Sequence, residues 1–339
     1  MITSADRTHH RPRRRLRRVG FVTLAALAAL GLAGLVIPTS PGVGHFRTPG
    51  DRDAYVEAYL AALATLPAPT RTLDLTTRFG TVRAYEWSPP EIAATDPRFT
   101  IPVVFMPGRA SGAPMWRENL PSLIGHRRLV IFDALGDAGL SAQTVLITSM
   151  ADQAAWLEES VGQLAEGRVH VVGHSFGGAT AMAYARAHPE RIASLTLLEP
   201  AFTFAYPPAS TFFWASVLGL PVPASWRDRA TREIAGEDDP IDYSDPVARL
   251  IDRAAAGYSA DLPVPTPLNA HQLADLRVPV YLALADHKSL AGGERAAERA
   301  RGLPCATVQI WPNTTHSLPM QVVEPLAEEL VTFWAAHDA

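Results

Sequence analysis

Val169-His170-Val171-Val172-Gly173-His174-Ser175-Phe176-Gly177-Gly178 joins an apolar run to the alanine-rich segment 179–188 through a Gly-x-Ser-x-Gly pentapeptide. A chain passing from a buried strand into a helix within so few residues must reverse sharply. Glycines two before and two after the serine leave room for that reversal, where a Cβ would meet neighbouring backbone. The bend is expected to hold the Ser175 hydroxyl above a sheet edge and at a helix N-terminus, where backbone N–H groups can meet developing negative charge. The pentapeptide is common by chance. Its position after a strand and before a helix is what points to a nucleophile rather than a plain turn.

Strands and helices alternate on either side. Residues 71–77 and 81–87 have the alternation of a hairpin turning through Phe79-Gly80. Residues 101–106, 128–133, 193–199, 278–283 and 306–311 are short apolar runs. Ser149, with Asp152 three residues on, opens a helix to about Glu166 in the manner of a capping box. Residues 51–66 carry Tyr55, Tyr59, Leu60 and Leu63 at helical spacing. Buried runs separated by helices predict an α/β class with a mainly parallel sheet covered on both faces. Between about 203 and 270 the rhythm breaks: no strand is evident, and Tyr206, Phe212, Phe213, Trp214 and Trp226 appear among many prolines. This predicts a helical insertion lying over the C-terminal edge of the sheet.

The composition bounds the partners. The chain has 339 residues, 47% of them hydrophobic, ample for a large core. Its single cysteine, Cys305, excludes an intramolecular disulfide and a cysteine metal cluster. Its one lysine, Lys288, belongs to no Gly-Lys-Ser/Thr triplet, which excludes a P-loop. The net charge of −4 conceals an asymmetry, because seven arginines and only Asp6 fall in the first forty residues. The remainder is strongly acidic and argues against a nucleic-acid partner. After the basic residues 1–18, Val19–Ile37 is a 19-residue uncharged run ended by Pro38, about 28 Å long as a helix and close to a bilayer's hydrocarbon thickness. Arginines on its N-terminal side alone keep Met1 in the cytoplasm and place the rest outside. The expectation is a membrane anchor, or alternatively a signal cleaved on secretion, followed by a linker over 38–50 rich in Pro, Gly and Ser.

With these motifs in place, the chain resembles the α/β-hydrolase superfamily, serine carboxylesterase-like branch, over about residues 70–337. Pro107-Gly108-Arg109 stands where that family usually has His-Gly-x. Asp133-Ala-Leu-Gly136-Asp137-Ala-Gly139-Leu-Ser141 resembles its D-x-x-G-x-G-x-S loop, with Asp137 in the middle slot as a departure. Asn313-Thr-Thr-His316 follows the last strand, where the family carries its histidine. The resemblance implies an α/β-hydrolase fold with an eight-stranded sheet and a lid insertion over 203–270, all within a domain spanning 51–339. It also implies cleavage of carboxylic esters through an acyl-enzyme.

A serine hydroxyl needs a base, and the base needs an acid to fix its tautomer. The resemblance makes His316 the base. The acid stays open between two carboxylates. The family's turn after its seventh strand reads Ala285-Asp286-His287-Lys288 here, with lysine in the aligned slot, so Asp286 serves only if the turn is reshaped. Glu199, ending the run before Pro200, lies where haloalkane-dehalogenase-like members carry theirs, and the lysine tilts the choice toward it. The backbone N–H groups of Phe176 and Arg109 are the expected oxyanion donors. His174, beside the nucleophile in sequence, is expected to be turned away by the strand geometry and to be structural, and His170 to be packed in its strand. Serine at the elbow argues against epoxide hydrolase and haloalkane dehalogenase chemistry. No metal motif or dinucleotide fingerprint is present, so no metal and no cofactor is expected. Lactones, amides, C–C bonds and peracid formation are alternatives within the enzyme class. A non-catalytic binding protein on the same fold is the alternative outside it.

Overall fold

The computed structural model describes residues 42–88, 96–218, 220 and 222–338. The basic N-terminus and the expected span at 19–37 lie outside them. Among the described residues no helix is long and apolar enough to cross a membrane.

The central sheet is built from β2 (Arg71–Thr77), β3 (Gly80–Trp87), β4 (Val103–Met106), β5 (Leu129–Phe132), β7 (Val169–His174), β8 (Ile192–Leu198), β10 (Val280–Ala285) and β11 (Ala306–Trp311). Their order is β11-β10-β8-β7-β4-β5-β3-β2, which matches the expected eight strands, and the two-residue β6 (Ala142–Gln143) adds a ninth against β3. Strands β5, β4, β7, β8, β10 and β11 run parallel, while the β2–β3 hairpin joins them antiparallel through β5. The strand order reverses around β4, so the loops leaving β4 and β7 lie side by side at the C-terminal edge, where α/β sheets place their sites.

Side chains along each strand divide between two cores. Val104 and Met106, with Val130 and Phe132, face one layer; Val103 and Phe105, with Leu129 and Ile131, face the other. The first layer is closed by α2 (Met150–Gly162) through Trp156 and Leu157, and by α3 (Phe176–Ala187) through Met182 and Tyr184. The Ser149 capping box is present as expected, with Ser149 Oγ accepting from Asp152 N and Asp152 accepting from Ser149 N. The second layer is closed by α1 (Pro49–Leu63) through Tyr55 and Tyr59, and by C-terminal Leu330 and Trp334.

Two expectations change at the insertion. The described residues of 203–269 hold the helices α4 (Ala209–Leu218), α5 (Ala224–Ala235) and α6 (Pro246–Gly257), and also the short β9 (Tyr258–Ser259). That strand pairs antiparallel with β1 (His45–Phe46), so the stretch expected as a linker over 38–50 docks on the insertion from Gly42 onward, and α1 starts within it. A two-residue strand has no periodicity to read, and its partner is distant in sequence, which is why neither was visible.

Candidate active site

At the end of β7 the chain bends as its glycines require. Ser175 has φ +53° and ψ −121°, outside the helical region. A Cβ on Gly173 would sit 2.5 Å from Gly177 O, and one on Gly177 would sit 2.4 Å from Pro107 O. Both positions therefore admit only glycine. The second contact also shows how closely the loop after β4 passes the elbow: a Cβ on Gly108 would lie 3.4 Å from Ser175 Cβ and 2.9 Å from His174 Nδ1. The expected oxyanion pair, Arg109 and Phe176, thus flanks the serine from two neighbouring loops.

A hydrogen-bonded chain runs from the hydroxyl into the protein. Ser175 Oγ is 2.9 Å from His316 Nε2, and His316 Nδ1 is 3.2 Å from Glu199 Oε2. A carboxylate beside Nδ1 holds the proton there and leaves Nε2 to accept from the hydroxyl. His316 and Glu199 are both buried, the latter completely.

Glu199 stands one residue beyond β8 with φ +47°, a conformation that costs a non-glycine residue about 1–2 kcal/mol. Its partners explain how that cost is borne. Oε1 accepts from Ala285 N at 2.8 Å and from Ser289 Oγ at 2.7 Å; Oε2 accepts from Leu290 N at 3.0 Å and Ala291 N at 3.3 Å, besides the imidazole. These donors belong to the turn after β10, the one in which the family pattern puts its acid. Here that turn donates to the carboxylate instead of supplying it. Its lysine, Lys288, points to Asp238 at the end of α5.

Asp286, the other candidate acid, is exposed and accepts from Asn313 N at 3.0 Å and Thr314 N at 3.1 Å. Those bonds, with the Asn313 amide foremost, hold its pKa below the usual carboxylate value. It braces the loop that carries His316, and His316 Nδ1 bonds to Glu199 instead.

His174 is structural, as expected, but lies nearer the site than expected: its Nε2 is 3.0 Å from His316 O, and the two rings lie 4.8 Å apart at 34°. Burial, reinforced by the neighbouring His316, pushes its pKa down to about 3, so it is a neutral ring that supports the loop by donating from Nε2. His170 is packed in its strand as expected, bonded to Ser194 Oγ at 2.8 Å and to Asp338 Oδ1 at 3.2 Å.

Asp137 was read as a departure from the family loop, and it has a specific place. Its Oδ2 accepts from Ala110 N at 2.8 Å and its Oδ1 from Ala138 N at 2.8 Å. Ala110 has φ +63°, so the aspartate fixes a strained residue immediately after Arg109. The Arg109 guanidinium lies 3.6 Å from Asp137 and 5.3 Å from the centre of the Phe176 ring, which makes one wall of the site from the two expected oxyanion residues. Only a contact distant in sequence gives Asp137 this role, so no local pattern revealed it.

The family model described as alpha/beta hydrolase family matches residues 103–329, which include Ser175, Glu199 and His316. The chain belongs to that family. Among relatives of this α/β hydrolase, the uncharacterized carboxylesterase nap of Bacillus subtilis (strain 168) is 24% identical over 292 residues, covering 84% of this chain and 93% of its own. Carboxylesterase YbfK of the same organism is 23% identical over 288 residues, covering 82% and 93%. The crystal structure of naproxen esterase (carboxylesterase NP) from Bacillus subtilis superposes with a TM-score of 0.75 at 21% identity, over 85% of this chain and 99% of that one.

Proposed function

We propose that this α/β hydrolase cleaves carboxylic esters through an acyl-enzyme on Ser175, as the names of its carboxylesterase relatives suggest. The reading is carried by the Ser175–His316–Glu199 hydrogen-bonded chain at a strand-to-helix elbow, with His316 and Glu199 buried behind the partly exposed serine. Ser175 Oγ attacks the ester carbonyl while its proton passes to His316 Nε2. Glu199 holds the Nδ1 proton and stabilises the imidazolium. The N–H groups of Phe176 and Arg109 meet the oxyanion. As the tetrahedral intermediate collapses, the C–O bond to the alcohol breaks and the alcohol takes the proton from Nε2. Water, deprotonated by the same nitrogen, attacks the acyl carbon; the C–Oγ bond breaks, Oγ recovers the proton and the carboxylic acid leaves.

The test is a fluorophosphonate probe with a panel of p-nitrophenyl esters of graded acyl length. Labelling and turnover of the wild type, both lost in Ser175→Ala, are the expected results. A wild type that neither labels nor turns over any ester would favour a binding protein on this fold. Turnover of amides or lactones in preference to esters would move the reaction class.

In the same reading residues 19–37 anchor the chain in the cytoplasmic membrane with the catalytic domain outside, on the strength of their 19 uncharged residues behind seven arginines. Full-length protein is then expected to stay with the membrane through alkaline carbonate extraction. A mature chain whose first residue lies just beyond 37 would mean a cleaved signal instead.

A further inference from the structure

The described chain enters the domain at its catalytic edge. Gly42 N donates to Asp261 Oδ2 at 2.6 Å, and Gly44 N to Gln143 Oε1 at 2.8 Å. Phe46 then pairs with Tyr258 in the β1–β9 ribbon. A Cβ on Gly44 would lie 2.7 Å from Gly136 O, in the loop whose next residue, Asp137, holds Ala110 beside Arg109. The entry point is thus one loop away from the expected oxyanion residues. Between Ile37 and Gly42 there are five peptide steps, which reach at most about 18 Å.

The insertion covers that edge and has an unusual outer surface. Its α5 ends against the histidine loop: a Cβ on Gly236 would lie 3.5 Å from His316 N, and Thr315 Oγ1 lies 3.4 Å from Glu237 Oε1. Helix α4, Ala-Ser-Thr-Phe-Phe-Trp-Ala-Ser-Val-Leu, carries no charge, and only Val217 of its ten residues is buried. Just beyond it Leu220 and Trp226 are each 51% exposed, and Tyr206 before it is 55% exposed. A charge-free helix whose Phe212, Phe213 and Trp214 are only partly buried, with Arg229 over the Trp214 ring at 5.0 Å, is poorly suited to water. Aromatic and leucine side chains without charge are what the interface of a bilayer accepts.

We propose that the α4 face docks on the bilayer, so that the catalytic edge opens toward the membrane and the substrates are esters dissolved among its lipids. This rests on the esterase and anchor readings above and names their substrate class. The bilayer is chosen over a second copy or the chain's own N-terminal segment because a short tether emerging at this same edge keeps α4 near the membrane that residues 19–37 would enter.

The test uses the full chain in phosphatidylcholine–phosphatidylglycerol vesicles, with a long-chain p-nitrophenyl ester in the lipid and p-nitrophenyl acetate in the water. The double variant Leu220→Asp, Trp226→Asp is expected to lower the vesicle rate by about tenfold or more, since two apolar side chains leave the interface, and to leave the soluble rate within about twofold. A long Gly/Ser insertion after Pro41 is expected to lower the vesicle rate alone, by diluting the edge away from the membrane. Unchanged vesicle rates in both variants would overturn the proposal. So would a vesicle effect that tracks protein concentration, which means a second copy, or tryptophan emission from Trp226 already shielded without lipid and exposed on removing residues 1–41, which means self-coverage. Should the double variant lose both rates through misfolding, the insertion, which alters no described residue, decides. If the wild type hydrolyses no ester at all, the esterase reading fails. Quenching of Trp226 emission by brominated lipid, referenced to Trp226→Phe, then still reports the docking.

Discussion

At the scale of single residues, the two carboxylates that compete in the sequence separate in what they hold. Glu199 meets the imidazole, whereas Asp286 meets two backbone amides of the loop that carries it. Glu199→Gln is expected to lower kcat about 10³–10⁴-fold, because an amide cannot fix the tautomer as a carboxylate does. Asp286→Asn keeps one acceptor and is expected to cost less than about tenfold. Steady-state kinetics on one ester compares them, and a larger loss in Asp286→Asn would reverse the assignment. The Ser175–His316 pairing was legible in the sequence because a Gly-x-Ser-x-Gly elbow and a terminal histidine loop are local patterns. The carboxylate partner of His316 was open because it depends on which of two strand ends faces Nδ1. The structural role of His174 was legible, but not its partner: side-chain alternation along a strand does not say that the carbonyl of His316 will arrive beneath it.

At the scale of elements, the elbow and the loop after β4 interlock through glycine. Gly177→Ala places a methyl group 2.4 Å from Pro107 O, so loss of turnover and a lower Tm are expected together. The Asp137 anchor makes a different prediction. Asp137→Ala leaves the Ala110 and Ala138 amides without their acceptor, at about 1–3 kcal/mol each where water cannot reach. Denaturant unfolding should register that cost, and kcat should fall more than KM rises if, as proposed, Arg109 N–H meets the developing oxyanion rather than bound substrate. The strands were legible as short apolar runs and helix α2 from its Ser149–Asp152 cap, although α2 stops at Gly162, short of the expected end near Glu166. The β1–β9 ribbon and the start of α1 inside the expected linker were not, because contacts spanning some two hundred residues decide them.

At the scale of the whole molecule, the opposite edge of the sheet carries a second serine–histidine–aspartate chain, Ser194–His170–Asp338, with Arg127 paired to the same aspartate at 2.6 and 2.9 Å. Ser194 and His170 are fully buried there, and the chain ties down the C-terminus. Deleting residues 338–339 strands the buried Arg127 and is expected to cost about 3–5 kcal/mol of stability by denaturant titration. Two of the buried histidines, His170 and His174, also set an acid limit. Burial lowers His170 to about 4 and His174 to about 3, from an ordinary 6.5. Below about 6.5 the unfolded chain binds protons that the folded one refuses, so stability is full above that pH. It is expected to drop by about 1.4 kcal/mol per pH unit for each histidine as the pH falls toward 4. Replacing His170 by Gln should flatten that slope in unfolding measurements across the same range. Finally, the Glu199 carboxylate is met by N–H and O–H dipoles fixed in the fold. Dissolved salt screens buried, fixed dipoles far less than it screens surface charges, so turnover on an uncharged ester should hold steady from dilute buffer to molar salt.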